Sequence, residues 1–159
     1  GGVVEIELGP DGEVIFSRFE ILEAYGIAVE LEKKGAKFYA DLLEQATDPA
    51  LAEAFRFLLH EEERHGALFH KELGMEAAAG GEGSDGLVKL VEAGIFTRSP
   101  EPTDLGDFDK VKRFALSVEA ESIRFYQALL ENTDDPGGRR VIGEIIEEER
   151  GHMEKLKGL

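Results

Sequence analysis

The chain has 159 residues, the size of one ordinary domain with room for a buried core. Its 34 acidic residues against 18 basic ones leave a net charge of −16, which repels phosphate backbones and anionic headgroups and argues against nucleic-acid or membrane-surface binding. There is no cysteine, so disulfides, zinc–thiolate sites, iron–sulfur clusters and all-cysteine iron centres are excluded, and any metal must sit on oxygen and imidazole.

Residues 1–16 are expected to form a β-hairpin arm. Two β-prone runs, Val3–Leu8 and Glu13–Phe16, flank the turn signal Gly9-Pro10-Asp11-Gly12. At Ser17 the period changes: Ser17 with Glu20 fits a capping box and Phe16 with Ile21 a hydrophobic staple, which predicts a helix running to about Ala46. Thr47-Asp48-Pro49 stops that helix and starts another, with Asp48 as N-cap and Pro49 at the first helical position. The second helix runs to residue 73. Residues 74–107 break the pattern, with a glycine-rich stretch at 80–86, a short helix expected at 87–93 and an extended Ser99–Pro102. Two more helices, 108–132 and 137–158, are separated by Asp135-Pro136. The predicted fold is all-α. A four-helix bundle occupies 17–159, with helical hairpins 17–73 and 108–158 and one long crossover at 74–107.

Residues 28–72 laid over 115–159 without a gap are identical at 12 of 45 positions, so the halves read as copies of one helical hairpin. Matched pairs include Glu32/Glu119, Tyr39/Tyr126, Asp48/Asp135, Glu62/Glu149 and His65/His152. The apolar stripe of each helix is interrupted by an acid. Glu32 falls in the first stripe, Glu62 and His65 in the second, Glu119 in the third, and Glu149 and His152 in the fourth. By contrast, Glu30, Glu44, Glu61, Glu63, Glu121, Glu131 and Glu148 are expected on solvated faces, and His60 and His70 also fall off the stripes.

Burying a carboxylate costs several kcal/mol even after relaxation, so four together require a compensating positive charge. No lysine or arginine shares the central stripe positions, whereas two divalent cations balance four carboxylates. Residues three apart share a helix face, so each Glu-x-x-His pair can grip one ion from adjacent turns. Two such pairs with two further glutamates make the ligand set of ferritin-like di-iron and di-manganese bundles. Oxygen with imidazole suits iron or manganese and leaves zinc open. The crossover agrees: a 26-residue helix is about 39 Å long, and a connection long enough to return along that length favours a ferritin-like arrangement over an up-down-up-down bundle, which needs only a few residues there.

These motifs resemble the rubrerythrin and erythrin branch of the ferritin-like di-iron carboxylate superfamily. The carrying segments are Ala28-x-x-x-Glu32 through Phe38-Tyr39, the run Leu58-Leu59-His60-Glu61-Glu62-Glu63-Arg64-His65, and the second-half copy ending Glu149-Arg150-Gly151-His152. The resemblance implies six metal ligands, Glu32, Glu62, His65, Glu119, Glu149 and His152, with Tyr39 and Tyr126 hydrogen-bonding ligand carboxylates. Two departures stand out. The chain ends at Leu159 without the cysteines of a rubredoxin domain, and Leu116 stands where rubrerythrins carry an additional glutamate, so the symmetric six-ligand site is expected.

The implied function is a non-haem redox protein whose two iron ions reduce peroxide or dioxygen, with electrons from a rubredoxin or flavoprotein reductase. The alternative is a ferritin-like iron-binding or ferroxidase protein that handles or stores iron. A homodimer or higher homo-oligomer is the expected assembly. With no apolar run near the ~20 residues of a membrane span and no signal peptide, a cytoplasmic location is expected.

Overall fold

A computed structural model describes residues 4–73 and 106–159. Strand β1 (Glu5–Leu8) pairs antiparallel with β2 (Val14–Arg18). At the turn between them, Gly9 N donates to Glu13 O at 2.8 Å and Gly12 N to Gly9 O at 3.0 Å. Gly12 holds φ at 79°, a left-handed conformation that a side chain would strain. Alternation sends Ile6, Leu8, Val14 and Phe16 toward the helices and leaves Glu5, Glu7 and Ile15 outside. The backbone N of Val4 donates to Glu23 Oε2 at 3.0 Å, which ties the hairpin to the first helix.

That helix, α1, spans Ile21–Gln45 and starts later than its sequence signals predict. Ser17 lies in β2. The N-cap is Glu20, whose carboxylate accepts from the backbone N of Leu22 and Glu23. Strand pairing carries the chain through Arg18, and it outcompetes the earlier cap. Helix α2 spans Pro49–Leu73, with Asp48 Oδ1 accepting from Ala50 N at 2.8 Å. Helices α3 (Phe108–Glu131) and α4 (Pro136–Lys157) follow, and Asp135 caps α4 as Asp48 caps α2. The segments expected at 87–93 and 99–102 lie outside the described residues.

Side-chain pairs fix the helix directions. Tyr25 meets Phe69 and Tyr39 meets Phe55, so α1 and α2 are antiparallel. Tyr39 reaches Glu119 while Glu32 receives Tyr126, so α1 and α3 are antiparallel as well. Leu73 and Phe108 therefore lie at opposite ends of the bundle, as a long crossover requires.

Among the described residues two apolar clusters divide the interior. One joins Tyr25, Phe69, Tyr126, Leu129, Ile142 and Ile145 and carries the hairpin; the other joins Tyr39, Leu42, Phe55, Leu58, Val111 and Leu156. Between them sits a layer of acids and imidazoles. No described helix is long and apolar enough to cross a membrane.

Candidate metal centre

The structure brings all six sequence-predicted residues to that layer. Each helix turns one glutamate inward where its stripe would otherwise hold an apolar residue, and α2 and α4 add a histidine one turn on. His65, Glu119 and Glu149 are fully buried, with Glu32, His152 and Glu62 at 2, 3 and 5% exposure. They form two overlapping groups. Glu32, Glu62, His65 and Glu149 offer ligand atoms within 4.8 Å of one another, and so do Glu62, Glu119, Glu149 and His152. Glu62 and Glu149 belong to both.

The individual distances trace a near-twofold pattern. His65 Nδ1 stands 3.0 Å from Glu149 Oε1 and 3.6 Å from Glu32 Oε1. His152 Nδ1 stands 3.6 Å from Glu149 Oε2 and 3.7 Å from Glu119 Oε2, and the two rings stack 5.8 Å apart. Tyr39 Oη donates to Glu119 Oε1 at 2.7 Å, and Tyr126 Oη donates to Glu32 Oε1.

Charge in this layer is poorly compensated by protein. Among the described residues no lysine or arginine is buried. Burial, followed by the charges of Glu32 and Glu149, holds the Glu62 carboxyl well above its ordinary range. Burial also opposes charge on His65, but hydrogen bonds to Glu149 and Glu32 outweigh it and raise its pKa to about 9. For Glu149, burial is again outweighed, here by the neighbouring imidazoles of His152 and His65, and its pKa falls. Tyr39 and Tyr126 are pushed up, by burial first and by the surrounding carboxylates next, so both phenols stay protonated as donors.

The residues fit a pair of cations. Oε2 of Glu32, Glu119 and Glu149 and both ring nitrogens of His152 are buried without a hydrogen-bond partner, although buried polar atoms are ordinarily paired. Ligand bonds of about 2.1 Å place donors on one ion at most ~4.2 Å apart, so shifts of a few tenths of an ångström bring each group to coordination distance.

An outer layer was missed in the sequence. Glu61 and Glu148, assigned there to solvated faces, are only partly exposed and approach the outer ring nitrogens. Glu148 Oε2 lies 3.3 Å from His65 Nε2, and Glu61 Oε1 lies 3.6 Å from His152 Nε2. Arg64 contacts both acids, with Nε 2.9 Å from Glu61 Oε2. The hydrogen bond and charge of Arg64 lower the Glu61 pKa against the opposing effect of burial. Glu61/Glu148 was itself a matched pair in the repeat, and that was the available signal. Glu121 is also buried, with Arg124 at 3.0 Å, contrary to its assignment to a solvated face. Glu44, Glu63, Glu131 and His60 are exposed as expected.

The model of the rubrerythrin family matches residues 4–73, covering the hairpin, α1 and α2. No curated protein matches the chain. A hypothetical protein from Pyrococcus furiosus is 23% identical, with a TM-score of 0.67 over 88% of this chain and 87% of its own. A Thermotoga maritima protein described as ferritin-like and diiron-carboxylate is also 23% identical, with a TM-score of 0.66 over 88% and 93%. The fold is thus shared with these two structures, and over residues 4–73 the family model bears out the rubrerythrin resemblance read from the motifs.

Proposed function

We propose that the chain is a rubrerythrin-like, non-haem di-iron redox protein that reduces peroxide or dioxygen. The observation that carries this reading is the pair of overlapping ligand groups sharing Glu62 and Glu149. Glu32 and His65 would hold one iron, Glu119 and His152 the other, and Glu62 and Glu149 would bridge them. Manganese or zinc would meet the same donors. Iron held there supplies electrons and Lewis acidity to an oxygen substrate.

The chain's own residues prepare and protect that position. Tyr39 and Tyr126 donate to the terminal carboxylates and fix their orientation. Glu148 accepts from the outer nitrogen of His65, and Glu61 stands 3.6 Å from that of His152, which leaves each Nδ1 facing inward for a cation. The apolar clusters above and below keep bulk water from the layer. A cation that enters displaces the proton that Glu149 and Glu32 favour on His65.

Each turnover consumes electrons, so the reading includes an external donor such as a rubredoxin or flavoprotein reductase, and a homodimer in the cytoplasm. Anaerobic titration with Fe(II), followed by peroxide or dioxygen, tests it. Two irons per chain, oxidised rapidly and re-reduced by a donor, are expected. Uptake of tens of irons per chain favours the iron-storage reading, and no uptake contradicts both.

A further inference from the structure

The offset of 87 pairs Leu31 with Val118, Gly35 with Ser122 and Phe38 with Phe125, so the face shared by α1 and α3 has two ends related by the repeat. The chain treats them differently. At one end the hairpin lies across α3. Phe16 meets Phe125 edge to face with centroids 5.7 Å apart, and Phe125 is fully buried in the cluster that includes Val4, Val14 and Ile123. At the other end a pocket of about 280 Å³ opens, lined by Leu31, Lys34, Gly35, Phe38, Phe114 and Val118. Lys37 and Asp41, paired at 3.1 Å, complete its lining.

Two features join this pocket to the acid layer, and a third sets Glu62 apart. Leu31 and Val118 immediately precede Glu32 and Glu119 in the chain. A Cβ on Gly35 would stand 3.0 Å from Glu62 Oε2 and 3.1 Å from its Cδ, so the Glu62 carboxylate rests in the hollow that a side chain would fill. Glu62 is also the most exposed of the six inward residues, at 5%.

We propose that this pocket is the entry port for a small uncharged or anionic molecule of peroxide size, arriving at the Glu62 edge, and that the hairpin seals the port's repeat-related mate. The proposal rests on the di-iron reading for what the port serves. A water molecule occupies about 30 Å³ in the liquid, so the pocket admits several peroxide-sized molecules, while drug-sized ligands need roughly 300 to 1,000 Å³. With Lys37 paired to Asp41, the lining keeps one net positive charge from Lys34, on an otherwise acidic surface.

The absence of native cysteine allows a test without metal. In the metal-free protein, a thiol introduced by Phe38→Cys is expected to react with methyl methanethiosulfonate at least tenfold faster than one introduced by Phe125→Cys. Adding Phe16→Ala to Phe125→Cys is expected to remove most of that difference. Equal rates in the two folded single variants overturn the proposal. A second arm fills the pocket with Val118→Trp in the Co(II)-loaded protein. Cobalt content is expected to match that of the unsubstituted chain while azide binding, read from the visible bands, slows at least tenfold. An unchanged azide rate overturns the port, and this arm decides if Phe125→Cys fails to fold. Absence of cobalt uptake by the unsubstituted chain overturns the di-metal reading instead, and the thiol rates still decide the port.

Discussion

Tyr39 in the first half of the chain donates to Glu119 in the second at 2.7 Å, and its repeat mate Tyr126 donates to Glu32 in the first. Each half's tyrosine holds the other half's carboxylate. Removing such an outer partner typically costs 10- to 100-fold in metal affinity, whereas losing one buried hydrogen bond costs about 1 kcal/mol of stability. Tyr39→Phe and Tyr126→Phe are therefore expected to fold and to bind metal about tenfold more weakly by competition with a chelator. Unchanged affinity in both contradicts the assigned role.

Ligand variants separate the shared acids from the terminal ones. Glu62→Ala and Glu149→Ala each remove a group common to both sets, so loss of both metals is expected. Glu32→Ala and His152→Ala each touch one set and should lose at least one. Glu44→Ala, on the exposed face of α1, should retain two. Metal content by elemental analysis distinguishes these outcomes, and equal content in all five variants contradicts the ligand assignment.

The metal-free protein should be most stable on the mildly acidic side of neutrality. His65 has a folded pKa raised to about 9, so its contribution is fully present below its ordinary value of 6.5 and is lost as pH rises through 9. Counted once with its partner Glu149, this amounts to at most about 3 kcal/mol. Glu62, raised by burial and its acidic neighbours, acts in the same direction above the carboxylate range. Glu149 and Glu61 are lowered, so their contributions are present above that range and lost only in acid. Thermal unfolding of chelator-treated protein should thus show a lower Tm at pH 9 than at pH 6. An equal or higher Tm at pH 9 contradicts the His65 environment described here.

Arg64 has Gly151 as its repeat mate, so one guanidinium serves both outer acids. Arg64→Gln is expected to weaken metal binding about tenfold, by release of Glu61 and Glu148 from their imidazoles. Glu148→Gln, which keeps an acceptor oxygen, should bind metal more tightly than Glu148→Ala. Identical affinities for the two Glu148 variants contradict the orienting role.

How much of this was legible in the sequence follows from what a stripe encodes. Apolar periodicity marks what a helix buries, and so Glu32, Glu62, His65, Glu119, Glu149 and His152 were visible as polar residues in apolar positions, doubled by the repeat. Periodicity says little about the edges of a buried face. Glu61 and Glu148 sit one residue off the stripe, and only the crossing of α2 with α4 brings each to the opposite imidazole. Glu121 was misread for a similar reason: it becomes buried in α3, with Arg124 alongside. The start of α1 was displaced because Ser17 suits both a cap and a strand, and its pairing in β2 is a tertiary choice.

Anomalous X-ray scattering at the iron edge from Fe(II)-loaded crystals tests the central claim most directly. Two peaks about 3.5 to 4 Å apart are predicted, both in contact with Glu62 and Glu149, one flanked by Glu32 and His65 and the other by Glu119 and His152. A layer without iron, or iron bound only to exposed acids elsewhere on the chain, would contradict it.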